Sequence, residues 1–210
     1  MSEPFEKPWH GIATAGSASA AFANTLDWRL RANPVELLHT YIDLLRFARS
    51  VGFLSPAEAN TLRRWAEKHP RAAQTALAQA IDLRESIAVI FQALARSKPI
   101  PSRALAELEG ACQQASAART LRAKDGAAEW NWREPQPVSD RPALAAALDA
   151  AQIVTSREVS ARMRQCADDE CGWFFLDTSR NRTRRWCSMK VCGNRNKVRR
   201  FYERSSAKKP

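Results

Sequence analysis

Apolar side chains recur at three- and four-residue spacing along most of the chain, and Pro, Gly and capping residues cut that pattern into segments. Asn33-Pro34 predicts a helix start, with Leu38, Tyr41, Ile42 and Leu45 on one stripe and Gly52 where the chain turns away. Ser55-Pro56-Ala57-Glu58 reads as a capping box opening a helix that carries Leu62 and Trp65 and stops at Pro70. A long helix is expected from Arg71 to Arg96, with Leu77, Ile81, Ile87, Ala88, Phe91 and Leu94 repeating and Arg84 on or beside the stripe. Residues 102–115 continue the theme with Leu105, Leu108 and Cys112. Then the period changes. Arg119–Ala123 and Glu129–Trp132 flank Lys124-Asp125-Gly126, the local signal of a β-hairpin, closed by Pro135 and Pro137. A last helix, Arg141 to Ala161, carries Leu144, Leu148, Ala151 and Val159 and leads straight into a cysteine-rich segment.

The 210 residues, 45% of them hydrophobic, suit one ordinary domain with a small appendage. No run of about 18 apolar residues suggests a membrane span. Residues 12–23 are apolar, but no basic stretch precedes them and Leu is absent, so they read poorly as a secretion signal. The expected compartment is cytoplasmic, with reduced cysteines. The net charge of +11 is uneven: residues 1–161 hold 19 Lys/Arg and 17 Asp/Glu, residues 162–210 hold 14 and 5. A basic tail interleaved with Trp, Phe and Cys points to a polyanionic partner. The three histidines, His10, His39 and His69, are scattered, and no catalytic motif is present, so an enzyme is not expected.

Four of the five cysteines fall as Cys166-x4-Cys171, fifteen residues, then Cys187-x4-Cys192. Two close pairs with an insert between them suit one tetrahedral metal, each pair forming a knuckle. Four thiolates favour a single structural zinc; an iron–sulfur cluster is the main rival, and a disulfide pair or four buried thiols are the readings without metal. Cys112 sits on an apolar stripe and reads as core. Between the pairs, Trp173–Asp177 and Thr183–Trp186 are expected to form a hairpin turning at Ser179–Arg182. A helix then runs from Asn194 to about Arg204. Val198, Phe201 and Tyr202 are expected to pack on the Trp173/Phe175 side, with Asn196, Arg199 and Arg200 turned outward. Arg180, Arg182, Arg184 and Arg185 on the hairpin and Arg195, Lys197, Arg199 and Arg200 on the helix form one expected basic surface for phosphates and guanine edges. DNA is the expected partner; RNA, or an acidic protein surface, is the alternative.

These residues closely resemble the CGNR zinc finger of bacteria, through Cys192-Gly193-Asn194-Arg195, Arg164, Cys166, Cys171-Gly172, Phe175, Asp177, Ser179-Arg180-Asn181, Arg185-Trp186-Cys187-Ser188-Met189 and Lys197. The preceding part resembles the ABATE domain through Asn24-Thr25, Leu83-Arg84-Glu85 and the tryptophan hairpin. The resemblance implies a bacterial stress-induced transcription regulator that joins a ligand-sensing domain to a DNA-binding finger, with a small-molecule effector. Asn24, Asp27 and Arg84 are its candidate sensor residues; a helix cap at Asn24 and an ion pair at Arg84 are the plainer roles. A homodimer is left open. The expected architecture is mainly α: a multihelical domain with a small β-hairpin over residues 12–161, and a zinc-binding ββα domain, treble-clef- or ribbon-like, over residues 162–205.

Overall fold

The computed structural model describes residues 15–133 and 139–206; Pro135, Pro137 and residues 1–11 lie outside them. Ser17 caps helix α1 (Ala18–Ala23) by accepting the Ala20 N–H. Apart from Phe22, α1 is built of Ala and Ser, so it lies close to its neighbours and is almost wholly buried. A short bridge follows, β1 (Leu26–Asp27) antiparallel to β2 (Val35–Glu36).

The helix expected to open at Asn33-Pro34 starts later: α2 spans Tyr41–Ser50. Thr40 and Asp43 cap each other's backbone there, satisfying two otherwise orphaned N–H groups, and β2 has already taken up Val35 and Glu36. Gly52 turns the chain at φ 80°. The Ser55–Glu58 capping box opens α3 (Pro56–Lys68), as its sequence predicts. The long helix α4 (Pro70–Ala95) and α5 (Ser102–Ala117) follow.

Strands β3 (Arg119–Lys124) and β4 (Ala127–Trp132) form the expected hairpin. Asp125 and Gly126 both have positive φ, the requirement of a tight primed turn. The register places Arg119 opposite Trp132 and Leu121 opposite Trp130, so one face carries those four and the other Thr120, Arg122, Glu129 and Asn131.

The last helix of this part is broken. Helix α6 (Arg141–Thr155) ends at Ser156, whose hydroxyl accepts the Val159 N–H and starts the four-residue α7 (Arg157–Ser160). The chain then enters β5 (Met163–Gln165), which pairs antiparallel with β6 (Phe174–Leu176). The partner expected for this strand, Thr183–Trp186, is irregular. Burial explains the choice. Phe174, Leu176 and Met163 enter the helical core, with Phe174 edge-on to Phe91 at 6.1 Å, while Phe175 points the other way into the cysteine cluster. A strand buried on both faces needs a partner that reaches the helices, and β5, packed on α4, supplies it. A π-helical turn, Met189–Gly193, leads into α8 (Asn194–Ser206).

Helix α1 packs against both α4 and α6 and touches β6; Phe22 and Phe47 meet at 5.6 Å between ring centres. Among the described residues, no helix is long and apolar enough to cross a membrane.

Candidate metal centre and nucleic-acid face

Cys166 and Cys171 lie on the loop between β5 and β6, and Cys187 and Cys192 frame the approach to α8. All four are buried, and their sulfurs lie within 4.8 Å of one another. Cys187 Sγ lies 3.6 Å from the sulfurs of both Cys171 and Cys192. A tetrahedral ion with bonds of ~2.3 Å to sulfur sets its ligands about 3.8 Å apart, so one zinc fits. Iron–sulfur clusters spread their thiolates over several irons and hold them farther apart. The cysteines are free thiols, which removes the disulfide reading. With no open ligand position in a four-sulfur set, the zinc is structural.

The surroundings supply positive charge to the sulfurs. The Cys187 N–H points at Cys166 Sγ at 3.4 Å, and Arg195 Nη2 donates to Cys192 Sγ at 3.2 Å. Among the four thiols alone, the pKa of Cys166 is lowered, because the S–H groups of Cys171, Cys187 and Cys192 donate to its sulfur. The same contact with Cys166 raises that of Cys171.

Asp168, inside the first knuckle, organises the second, a role that the sequence reading missed. Its side chain is fully enclosed, and its Oδ2 accepts from Arg195 Nε at 2.9 Å and Asn196 Nδ2 at 2.8 Å. Asn196 therefore faces inward, contrary to the expected wheel. Its partner face is the one that turns out. Val198, Phe201 and Tyr202 are exposed rather than packed on Trp173 and Phe175, because α8 docks through Arg195, Asn196 and Arg199 on the acidic knuckle. A signal was available: Asp168-Asp169-Glu170 between two ligands of a strongly basic segment.

The eight candidate cations divide. Arg184 donates to the carbonyls of Trp186 and Cys187 and lies 4.3 Å over the Phe175 ring, bracing the loop that carries Cys187. Arg195 and Arg199 pair with Asp168 and Asp169. These three are half-buried. Arg180, Arg182, Arg185, Lys197 and Arg200 are exposed, as are Lys190 and Arg204, which the sequence reading left out. Asp177 shapes the loop of Arg180 and Arg182: it is buried and accepts from the Ser179 N–H and hydroxyl and the Arg184 N–H. Burial works against its charge, but the Ser179 and Arg184 donors prevail and hold its carboxyl below the usual range.

The helical part grips this centre directly. Arg29 N–H and Leu30 N–H donate to the Cys171 and Glu170 carbonyls, and Arg31 pairs with Glu170 at 2.8 Å. Trp28, strained at φ 52°, lies between Arg31 at 3.5 Å and Arg195 at 4.4 Å. Gly172 has φ 70°, and a Cβ there would come within 2.7 Å of Leu30 Cγ.

The three candidate sensor residues are engaged by the protein. Asn24, at the C-terminal end of α1, donates from Nδ2 to the Phe174 carbonyl at 2.9 Å and accepts the Phe174 N–H at 2.8 Å. Arg84 is 2% exposed; its guanidinium grips Glu36 through two bonds of 2.7 Å and reaches Glu85 and Thr25. Glu85 also pairs with Arg29 at 2.5 Å. Asp27 accepts the neighbouring Trp28 N–H.

Compared with protein families, residues 162–205 match the CGNR zinc finger, and residues 16–157 match the ABATE domain, described as "Putative stress-induced transcription regulator". No curated protein matches the chain significantly.

Proposed function

The chain belongs to the ABATE family, and from that premise we propose that it is a zinc-dependent, DNA-binding transcription regulator of the bacterial cytoplasm whose helical part senses a small molecule. One observation carries the DNA half: the division of the cations. Zinc-site assembly uses Arg184, Arg195 and Arg199, which leaves Arg180, Arg182, Arg185, Lys197 and Arg200 facing solvent with no acidic partner among the described residues. Five such groups on a rigid, metal-fixed frame favour a phosphate backbone. Helix α8 presents Lys197 and Arg200 along one side, in the manner of a helix set against a groove.

The test is the salt dependence of binding to duplex DNA. Five neutralised phosphates give a slope of log affinity against log salt of about −4.5. Arg182→Ala with Arg200→Ala should flatten it by about 2, while Arg184→Ala should instead reduce zinc retention and stability. A slope unmoved by the first pair removes this face from the interface. Base stacking on Trp173 or Phe174 is not favoured, since Phe174 is enclosed and Trp173 half-buried. Single-stranded RNA binding tighter than duplex DNA at equal salt would nevertheless replace DNA with RNA.

A further inference from the structure

A cavity of about 800 Å³ opens between the β3–β4 hairpin, α3 and α6, within the size range of small-ligand sites. Trp130 and Trp132 from the hairpin form one wall, and Leu62 and Leu148 line the helical side. Trp130 is 56% exposed, a large aromatic side chain left open to solvent. Three guanidiniums, of Arg119, Arg133 and Arg141, line the same space. Arg119 lies 4.9 Å over Trp130 and Arg141 5.2 Å over Trp132. The buried Nε of each lacks a hydrogen-bond partner. Arg141 has a carboxylate in Glu58 at 2.7 Å, but Arg119 and Arg133 have none among the described residues.

We infer that this cavity is the ligand site of the helical domain and that it takes a planar aromatic carboxylate. The inference deepens the sensing half of the proposed function and rests on it. An aromatic ring covers the open Trp130 face, where stacked rings attract beyond their buried area. A carboxylate supplies the anionic partner that Arg119 and Arg133 lack among the described residues, and guanidinium binds it through paired hydrogen bonds. A neutral ring gives these cations no anionic partner, and a non-planar anion leaves the indole open.

The site is joined to the finger by few parts. Asp149 lines the cavity, and its Oδ2 accepts the Ser19 N–H at 2.8 Å and the Ser19 hydroxyl at 2.5 Å. Ser19 stands at the head of α1, and Asn24 at its foot holds the backbone of β6. A ligand that shifts α6 thus acts on one short, buried helix whose other end holds the metal-bearing hairpin.

The test uses the full zinc-loaded protein and three probes in calorimetry: 2-naphthoate, 2-naphthylmethanol and cyclohexanecarboxylate. Naphthoate should bind saturably and about tenfold or more tighter than either control, a difference of about 1.4 kcal/mol or more. Arg119→Gln with Arg133→Gln should erase that preference, leaving naphthylmethanol affinity unchanged; Trp130→Ala should weaken both naphthyl probes. Circular dichroism and zinc content confirm that the variants fold. Equal affinity for the three probes, absence of saturable naphthoate binding, or a preference that survives the double variant overturns the assignment. DNA affinity measured with and without naphthoate separates the two ideas. Lost DNA binding without any probe defeats the regulator reading. Intact DNA binding with no naphthoate binding defeats the cavity alone. Specific naphthoate binding that leaves DNA affinity unmoved defeats the sensing role.

Discussion

Replacing Asn24 by Ala removes a side-chain amide that completes the outer edge of β6. Asn24 is 5% exposed, and its two bonds to Phe174 are 2.8 and 2.9 Å long. Without the amide, the Phe174 N–H and C=O are left in a buried place beside α1. Each unsatisfied buried group costs about 1–3 kcal/mol, so with partial access of water the loss is about 2–4 kcal/mol. For a chain of this size that lowers Tm by about 5–15 °C. Asn24→Asp sharpens the test. An ionised carboxylate still accepts from the Phe174 N–H but faces its carbonyl oxygen with no donor. The loss at neutral pH should match or exceed that of Asn24→Ala, then shrink as acidity restores a proton to donate. Urea unfolding in excess zinc measures the loss, and hydrogen exchange at the Phe174 amide locates it. A loss below about 0.5 kcal/mol would show that water replaces the amide freely and that this contact does not hold the hairpin.

Four further outcomes are expected. Metal analysis should find one zinc per chain; Cys187→Ser should abolish it and lower the melting of the helices as well, whereas Cys112→Ser should leave zinc content unchanged. Arg84→Met should cost about 3 kcal/mol, toward the low end for a broken buried pair because Glu36 and Glu85 retain solvent access, and Glu36→Leu in the same chain should recover part of it in a double-mutant cycle. Burial raises the Glu85 carboxyl, but Arg29 and Arg84 outweigh it and hold the carboxyl below its ordinary value, so its stabilisation is present above about pH 4.5 and lost as pH falls through the lowered value; Glu85→Gln should flatten that part of the stability curve relative to wild type. Gly172→Ala should destabilise by about 1–3 kcal/mol, since a left-handed backbone and contact with Leu30 act together.

What was legible in the sequence was local. The Ser55–Glu58 box, the turn at Gly52 and the Asp125-Gly126 hairpin each depend on residues within a few positions, and each stands where its chemistry puts it. The cysteine spacing likewise brought its four ligands together, because two knuckles are local devices closed by one ion. The misplacements are long-range. No strand is expected over Met163–Gln165, since nothing nearby shows that Phe174–Leu176 needs a partner anchored on α4. Helix α8 was oriented by its apolar residues, yet its packing is decided by Asp168 and Asp169, more than twenty-five positions upstream. Asn24 and Phe174 lie 150 positions apart, so no periodicity could join them.

Strands β5 and β6 show one face to the metal cluster and the other to the helices. A finger built this way resists transplantation. Cut out as residues 162–205 and grafted onto another protein, it would bring its four thiols but also bare Met163, Phe174 and Leu176, all now enclosed by helices it left behind. Such a chimera would be sticky and poorly ordered even in abundant zinc. The workable cassette is the finger together with the helical core that covers it, which makes the two parts, in engineering terms, a single casting.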